Sequence, residues 1–383
     1  MTKPISDTVD AEPRRRVHVR GPGDLVDMAP YLLGFRPFDS LVVIALPAEG
    51  SQVCLTARAD LAEVRRAGFA EYLAALVAQA GGRRALVVVY GATVAGPPGE
   101  LPERDVVELF AEAAALVQVE LLDALYVAGG RWWCYDPCGS PVCCPPAGTP
   151  VGGGGSRVAE EAEGAGLTAL PDRAALAAEF DPVDAEQRGA VSAAVRVAEQ
   201  ELVQATVDGG GIGPWREDAF VLFRAVFNRI ADGDVPWLGR RVAARLLVGL
   251  TDTLVRDLAW SWTNESPARC VVAGALWRQL ARRAEEPYDA PPLFLAAWAA
   301  WRSGHGPMAR VAVERALAAD PGYSAALLLE QLIAQNYNPG TVGELLGPCP
   351  LDFASGGPRR RRGRLRRHAV EDPAASVVTG ASG

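Results

Sequence analysis

A chain of 383 residues, 49% of them apolar, has the material for two packed domains, or three, at about 150 residues each. Its net charge of −8 already includes seven arginines between Arg359 and Arg367. The rest is therefore more acidic still and does not suit nucleic acid, whose phosphates call for a basic surface. Lys3, in a polar leader, is the only lysine, and His18, His305 and His368 are the only histidines. That excludes a Walker A lysine, a Schiff-base lysine and a zincin helix, which needs two histidines four residues apart. A Ser-His-Asp triad is left with His305 alone and has no G-x-S-x-G turn to present the serine.

Residues 1–20 read as a mobile polar tail, after which Asp24 is placed to cap a short helix that Pro30 ends. Leu41–Leu46 is an unbroken apolar strand. A Pro/Gly/Ser turn links it to a second strand at Val53–Arg58, and so short a link makes the pair a hairpin. Asp60 opens a helix to about Ala80, stopped by Gly81-Gly82. The run Arg84–Tyr90 is a strand buried on both faces. A Gly/Pro loop over 91–103, a helix over Asp105–Gln118 and strands at Leu121–Ala128 and Arg131–Tyr135 complete the order ββαβαββ. That pattern predicts an α/β domain with a mixed sheet over about 21–150. A glycine-rich connector with short helices follows over 151–183, with an edge strand at Leu167–Leu170 and Asp172 capping the next helix. From 184 to 346 no strand pattern is visible. Helices are expected at 184–207, 214–232, 237–259, 267–285, 289–303, 307–319 and 323–336, an all-α domain. Residues 347–383 have the composition of a disordered Arg-rich tail. No run reaches the roughly 18 apolar residues of a membrane span and no secretory leader is visible, so a cytoplasmic chain is expected.

Three constellations carry chemistry. Cys134, Cys138, Cys143 and Cys144 crowd eleven residues of a Pro/Gly loop. Thiolates so placed suit zinc or an iron–sulfur cluster. The spacing C-x3-C-x4-C-C is not a standard pair of C-x2-C motifs, though, and strand alternation could turn Cys134 away. Free thiols plugging the loop against the sheet, or a redox disulfide, are the other readings, and packing without a cofactor is the default. The second lies at the hairpin's end, where the start of one strand lies beside the end of the other. There Arg36, Asp39, Ser40, Arg58 and Asp60 come together beside a helix N-terminus. They form a candidate site for a small anionic ligand, with Asp39 and Asp60 as the acid/base pair of an enzyme alternative. Ordinary strand-end chemistry, with Arg58 paired to Asp39 and Asp60 as a cap, is the plainer reading. Arg131 and Trp133, candidate ligand-binding residues, share one strand face, opposite Trp132; one tryptophan should be core and the other could stack a ligand or a partner, with packing the default.

The third is a helical hairpin over 290–336. Ala316-Leu317-Ala318-Ala319-Asp320-Pro321 ends its second helix in the manner of a tetratricopeptide repeat, and one such unit is visible. Trp298 and Trp301, three apart on its first helix, would line a protein- or peptide-binding surface or pack inside it, and are the candidate partner-binding residues. The stretch Pro30–Leu46, together with Arg131-Trp132-Trp133-Cys134-Tyr135-Asp136, Cys143-Cys144-Pro145-Pro146 and the Asp320-Pro321-Gly322-Tyr323 turn, resembles an uncharacterised actinobacterial family, domain of unknown function 4192. The resemblance implies a fold pattern and no activity.

These readings favour a non-catalytic binding or regulatory protein with an interdomain cleft and a helical partner surface. The alternatives are a hydrolase or transferase at the hairpin edge and a metal or thiol protein on the cysteine loop. Nucleic acid is expected only through the Arg359–Arg367 tail.

Overall fold

The computed structural model describes residues 19–93, 101–152, 156–164, 167–231, 238–346, 351–352 and 357–358. The 1–20 tail (but for its last two residues), most of the 347–383 tail with its Arg359–Arg367 run, and parts of the Gly/Pro loop and the connector lie outside them. The described residues through Leu346 belong to one compact unit. Beyond it, two-residue strands Leu351–Asp352 and Gly357–Pro358 pair with each other.

The chain enters through α1 (Pro22–Leu33), which runs past the expected stop at Pro30. A proline inside a helix leaves the carbonyl four residues earlier without its N–H partner. Here that carbonyl is Val26 O, and the hydroxyl of buried Tyr90 donates to it at 3.3 Å. A tertiary partner thus replaces the missing bond, and the helix ends instead at Gly34, in the left-handed region with φ 80°. Strands β1 (Ser40–Leu46) and β2 (Leu55–Asp60) form the expected hairpin. The single predicted helix after it is two, α2 (Leu61–Val64) and α3 (Phe69–Gln79), because Gly68 takes φ 80° between them. Then come β3 (Arg84–Tyr90), α4 (Arg104–Leu116), β4 (Glu120–Ala128) and β5 (Arg131–Cys134). A two-residue strand, β6 (Thr149–Pro150), closes the sheet and was not visible in the sequence.

The sheet order is β2-β1-β3-β4-β5-β6. Only β3 and β4 are parallel, joined through α4, so the sheet is mixed as expected. Alternation explains why its central strands are apolar throughout. Leu41, Val43, Val87 and Val89 face Leu73, Val77 and Phe110 of α3 and α4. Val42, Ile44 and Val88, between them, are equally buried on the face of α1, where Tyr90 and Trp132 also lie. The connector holds α5 (Arg157–Gly164), packed on Met28 of α1, and α6 (Arg173–Ala178), whose N-cap Asp172 accepts from Ala175 N at 2.7 Å. The strand expected at Leu167–Leu170 is reduced to a single parallel bridge between Phe35 and Leu170.

The remainder is helical: α7 (Ala185–Ala205), α8 (Gly213–Ala231), α9 (Arg240–Leu250), α10 (Thr253–Asn264), α11 (Pro267–Ala281), α12 (Ala290–Arg302), α13 (Gly306–Ala319), α14 (Ser324–Ala334) and α15 (Pro339–Leu346). The predicted 237–259 helix is broken at Asp252, whose carboxylate accepts from Leu254 N and Val255 N and starts α10 afresh. Among the described residues no helix is long and apolar enough to cross a membrane.

One sequence expectation fails here. Trp298 is 1% exposed and Trp301 6%, and every residue from Ala290 to Trp301 is buried. Trp298 packs edge-on against Trp260 and Trp301, and its Nε1–H donates to Asn264 Oδ1. Asn264 also accepts from Arg302 Nε and donates to Gly343 O at 2.9 Å, tying α10, α12 and α15 together. The two tryptophans are therefore core and line no surface. The physical reason is that α12 lies between α11 and α13 with α10 against Trp298, and α15, missed in the sequence, adds to that cover. The two halves meet where Tyr72 Oη donates to Ala334 O and Asn336 Nδ2 to Leu76 O. Beside these bonds lies a cleft of about 670 Å³ without a charged residue in its lining.

Candidate functional site

The loop between β5 and β6 is held at both ends, by a side chain of α4 and by side chains of β5. At its start Arg104, the first residue of α4, donates from Nη2 to Tyr135 O at 2.7 Å, and its guanidinium lies over the Tyr135 ring. Tyr135 itself is buried and its hydroxyl donates to Pro102 O at 2.7 Å. At its end Arg131 donates from Nε to Ala147 O at 2.6 Å and from Nη2 to Gly148 O at 2.9 Å, while Trp133 Nε1 donates to Pro146 O at 3.2 Å. The two residues singled out as ligand-binding on this strand are thus engaged by the protein's own loop. Trp132, on the opposite face, is core against Gly23.

Gly148 fixes the seat of the loop. It sits at φ 71°, and a Cβ there would fall 2.4 Å from the Trp133 ring. Gly148→Ala should destabilise the protein by at least about 1–2 kcal/mol, the cost of a left-handed L-residue before any clash. Gly139→Ala, at φ 77° with nothing within 4 Å of the added methyl, should carry the conformational cost alone. Urea midpoints of the two variants test this, and equal midpoints would mean that the Trp133 contact does not seat the loop.

So anchored, the loop gathers its sulfurs. Cys138 Sγ and Cys144 Sγ are 3.7 Å apart, and the Cys144 thiol donates to Cys134 Sγ at 3.8 Å. Cys138, Cys143 and Cys144 all lie within 4.8 Å of one another. Cys134 therefore faces the loop instead of turning away, and Cys144 is the central sulfur. Backbone geometry explains the convergence. Gly139 turns the chain at positive φ, and Cys144 N donates to Ser140 O at 2.8 Å, which folds the segment back on itself. Cys138 and Cys143 are exposed, Cys134 and Cys144 partly so. Burial, then the hydrogen bond from Cys144, pushes the Cys134 thiol up to about 12. Hydrogen bonds to Cys138 and Cys144 push Cys143 up to about 11. Cys138 moves the other way, lowered chiefly by the backbone N–H of Ser140 and then by its two sulfur neighbours. Thiols that share one small space titrate as a group, so that the ionised form is favoured at one sulfur and disfavoured at its neighbours.

The hairpin edge is arranged differently. Arg58 pairs with Asp60 at 2.6 Å, not with Asp39, and donates from Nε to Ser40 Oγ at 2.8 Å. Ser40, wholly buried, donates in turn to Phe38 O at 2.5 Å. Asp60 occupies the N-cap position of α2 without capping it, since its carboxylate is turned to Arg58. Asp39 and Arg36 are exposed. Asp39 has φ 47°, and its carbonyl accepts from Leu61 N. The cation and hydroxyl that an anion or an acid/base pair would use are thus consumed in a closed strand-end network. The start of β1 does lie beside the end of β2, as expected, with Ser40 opposite Asp60.

A family model described as a domain of unknown function (DUF4192) matches residues 22–340, from the start of α1 to the start of α15. The chain belongs to that family. The matched segment contains the sheet, the whole cysteine loop and the buried α12. No curated protein and no solved structure matches the chain.

Proposed function

We propose that the chain is a non-catalytic binding protein whose ligand is a thiophilic metal ion, Zn²⁺, held by Cys134, Cys138, Cys143 and Cys144. One observation carries this reading. With Zn–S bonds of about 2.3 Å, the edge of a tetrahedron of sulfurs is about 3.8 Å. Cys138 and Cys144 are 3.7 Å apart and Cys144 and Cys134 3.8 Å. Cys138, Cys143 and Cys144 lie within 4.8 Å of one another, and Cys134 joins that group through Cys144. The competing account, thiols packed as small hydrophobes, requires them to be buried. Cys138 and Cys143 are exposed, so they plug nothing.

The donor set chooses the metal class. Four sulfurs without histidine suit zinc or another soft ion and not magnesium or calcium. A shell closed by four thiolates leaves no position for water or substrate, which makes the metal structural. Its mechanical role follows from the fold. β6 is a two-residue edge strand, and the loop before it is tied to the rest of the fold by strong hydrogen bonds at its ends and by a single thiol contact, Cys144 to Cys134, at its middle. A metal at its middle would pin the loop, and with it the exposed edge of the sheet.

Elemental analysis of protein purified without an affinity metal and kept reduced tests the reading. The expected result is about one zinc per chain, as a closed four-thiolate site takes, lost when Cys138 and Cys143 are replaced by serine. Metal-free protein that takes up no zinc on titration would overturn it.

A further inference from the structure

We propose that Cys138 and Cys144 are a thiol–disulfide pair, which a hydroperoxide oxidises to a bond within the loop and so dismantles the metal site. The pairing stands on the placement of the sulfurs. The release of metal rests on the zinc reading above.

Three observations select this pair among the cysteines. Their sulfurs are 3.7 Å apart, so a bond of about 2.05 Å requires the two to approach by less than 2 Å. The backbone between them is already reversed, through Gly139 at φ 77° and the Cys144 N to Ser140 O bond. Closure therefore asks for side-chain rotation and a small shift in a segment made of turns. Cys138 is exposed, open to a small oxidant, and Cys144 is the sulfur beside it, the arrangement of a reacting cysteine with a resolving partner. Cys143 also lies within 4.8 Å of Cys138, so a Cys138–Cys143 bond is the rival that the mapped peptide must exclude. The other described cysteines are worse placed. Cys134 is held by β5, where it pairs with Leu125 in the sheet register, so its Cβ cannot follow. Cys143 and Cys144 are adjacent, and a bond between neighbours forces their shared peptide into a strained ring. Cys54 donates to Ala45 O in the first hairpin, and Cys270 is buried against Thr263 O, both engaged elsewhere in the fold.

The chemistry balances with hydrogen peroxide as oxidant. The Cys138 thiolate attacks one peroxide oxygen, the O–O bond breaks and hydroxide leaves, so the sulfur becomes a sulfenic acid, oxidised by two electrons. The Cys144 thiolate then attacks that sulfur. An S–S bond forms, the S–O bond breaks, and the second oxygen leaves as hydroxide. Two protons from solvent convert both hydroxides to water. A metal held by these sulfurs loses two of its four thiolates in the process, and two remaining sulfurs do not retain zinc.

The experiment adds hydrogen peroxide to the reduced, full-length protein in the presence of a chromophoric zinc chelator. Non-reducing digestion and mass spectrometry then map the product. The expected product is a peptide linked through Cys138 and Cys144, with two titratable thiols lost per chain. Zinc should reach the chelator with the same rate constant, and dithiothreitol should reverse both changes. In Cys144→Ser the disulfide should be absent and Cys138 should be trapped by dimedone as the sulfenic acid, whereas Cys143→Ser should still form the linked peptide. A different linked pair, or oxidation of Cys138 straight to sulfinic acid in the unmodified chain, would overturn the pairing. Protein that carries no zinc yet forms the Cys138–Cys144 bond would remove the metal and its release and uphold the thiol pair. Protein that carries zinc and forms no bond would do the reverse.

Discussion

Replacing Cys144 by serine should leave the protein with less than about a tenth of the zinc bound by the unmodified chain, a loss larger than that of any other single thiol in the loop. Cys144 is the sulfur that touches both neighbours, Cys138 at 3.7 Å and Cys134 at 3.8 Å. Its removal breaks both of these contacts, including the one through which Cys134 joins the other sulfurs. A serine hydroxyl does not ionise near neutral pH and offers a hard oxygen, so it replaces neither the charge nor the softness of the thiolate. Structural zinc in small thiolate sites contributes on the order of 10 kcal/mol to the folded form, and losing a quarter of the shell forfeits much of that locally. The thermal midpoint should fall in parallel, because a ligand that binds only the native state raises stability through mass action. Added zinc should lift the midpoint of the unmodified protein and not that of the variant. Cys54→Ser is the control. Its thiol is exposed in the β1–β2 hairpin and donates to Ala45 O, and its metal content should be unchanged. A Cys144→Ser protein with full zinc at undiminished affinity would remove Cys144 from the site.

The sequence spoke most clearly where a residue's neighbours in the chain decide its state. Leu41–Leu46 and Ala85–Val89 are strands because nothing polar interrupts them, and the short link between the first two strands leaves no pairing but a hairpin. The cysteine loop was legible for the same reason, as four thiols in eleven residues must come close. What the sequence hid are the cases where a distant residue decides. Pro30 reads as a helix stop, and only the Tyr90 hydroxyl on Val26 O lets α1 continue through it. β6 is a strand because β5 lies beside it, since two residues carry no pattern. Arg131 and Trp133 look like free ligand-binding groups until the returning loop takes their hydrogen bonds. Arg58 could have met either Asp39 or Asp60, and strand register, which places Ser40 opposite Asp60, settles the choice. The inward turn of Cys134 is of the same kind. Alternation gives its face, but which face the loop folds over is a tertiary matter.

Trp277→Ala should destabilise the protein by about 3–5 kcal/mol, the range for removing a large aromatic side chain from a packed core. Trp277 has no exposed surface. Its ring meets Phe223 at 6.4 Å and Phe227 edge-on at 6.0 Å, and Phe227 in turn stacks on Trp262 at 3.7 Å. Residues of α8, α10 and α11 therefore close around one side chain, and the cavity left by alanine cannot be filled without moving three helices. The indole N–H donates to Thr263 Oγ1 at 3.0 Å, and that hydroxyl donates to Ala259 O. Thr263 is wholly buried, so losing the indole leaves an acceptor lone pair without a donor. Trp277→Phe separates the two effects. It keeps an aromatic ring in place and removes the bond, so it should recover most of the alanine loss. Urea unfolding followed by far-ultraviolet circular dichroism gives both midpoints. A Trp277→Ala midpoint within about 1 kcal/mol of the unmodified protein, small for a fully buried indole, would mean that the α8–α10–α11 cluster does not set stability. The same pair of variants bears on the tryptophans of α12. In sequence Trp298 and Trp301 fit a surface or a core equally, and Trp277 reads like any helical residue. All three are buried, because in a domain built of helices the aromatic side chains are the parts long enough to span the gaps between them.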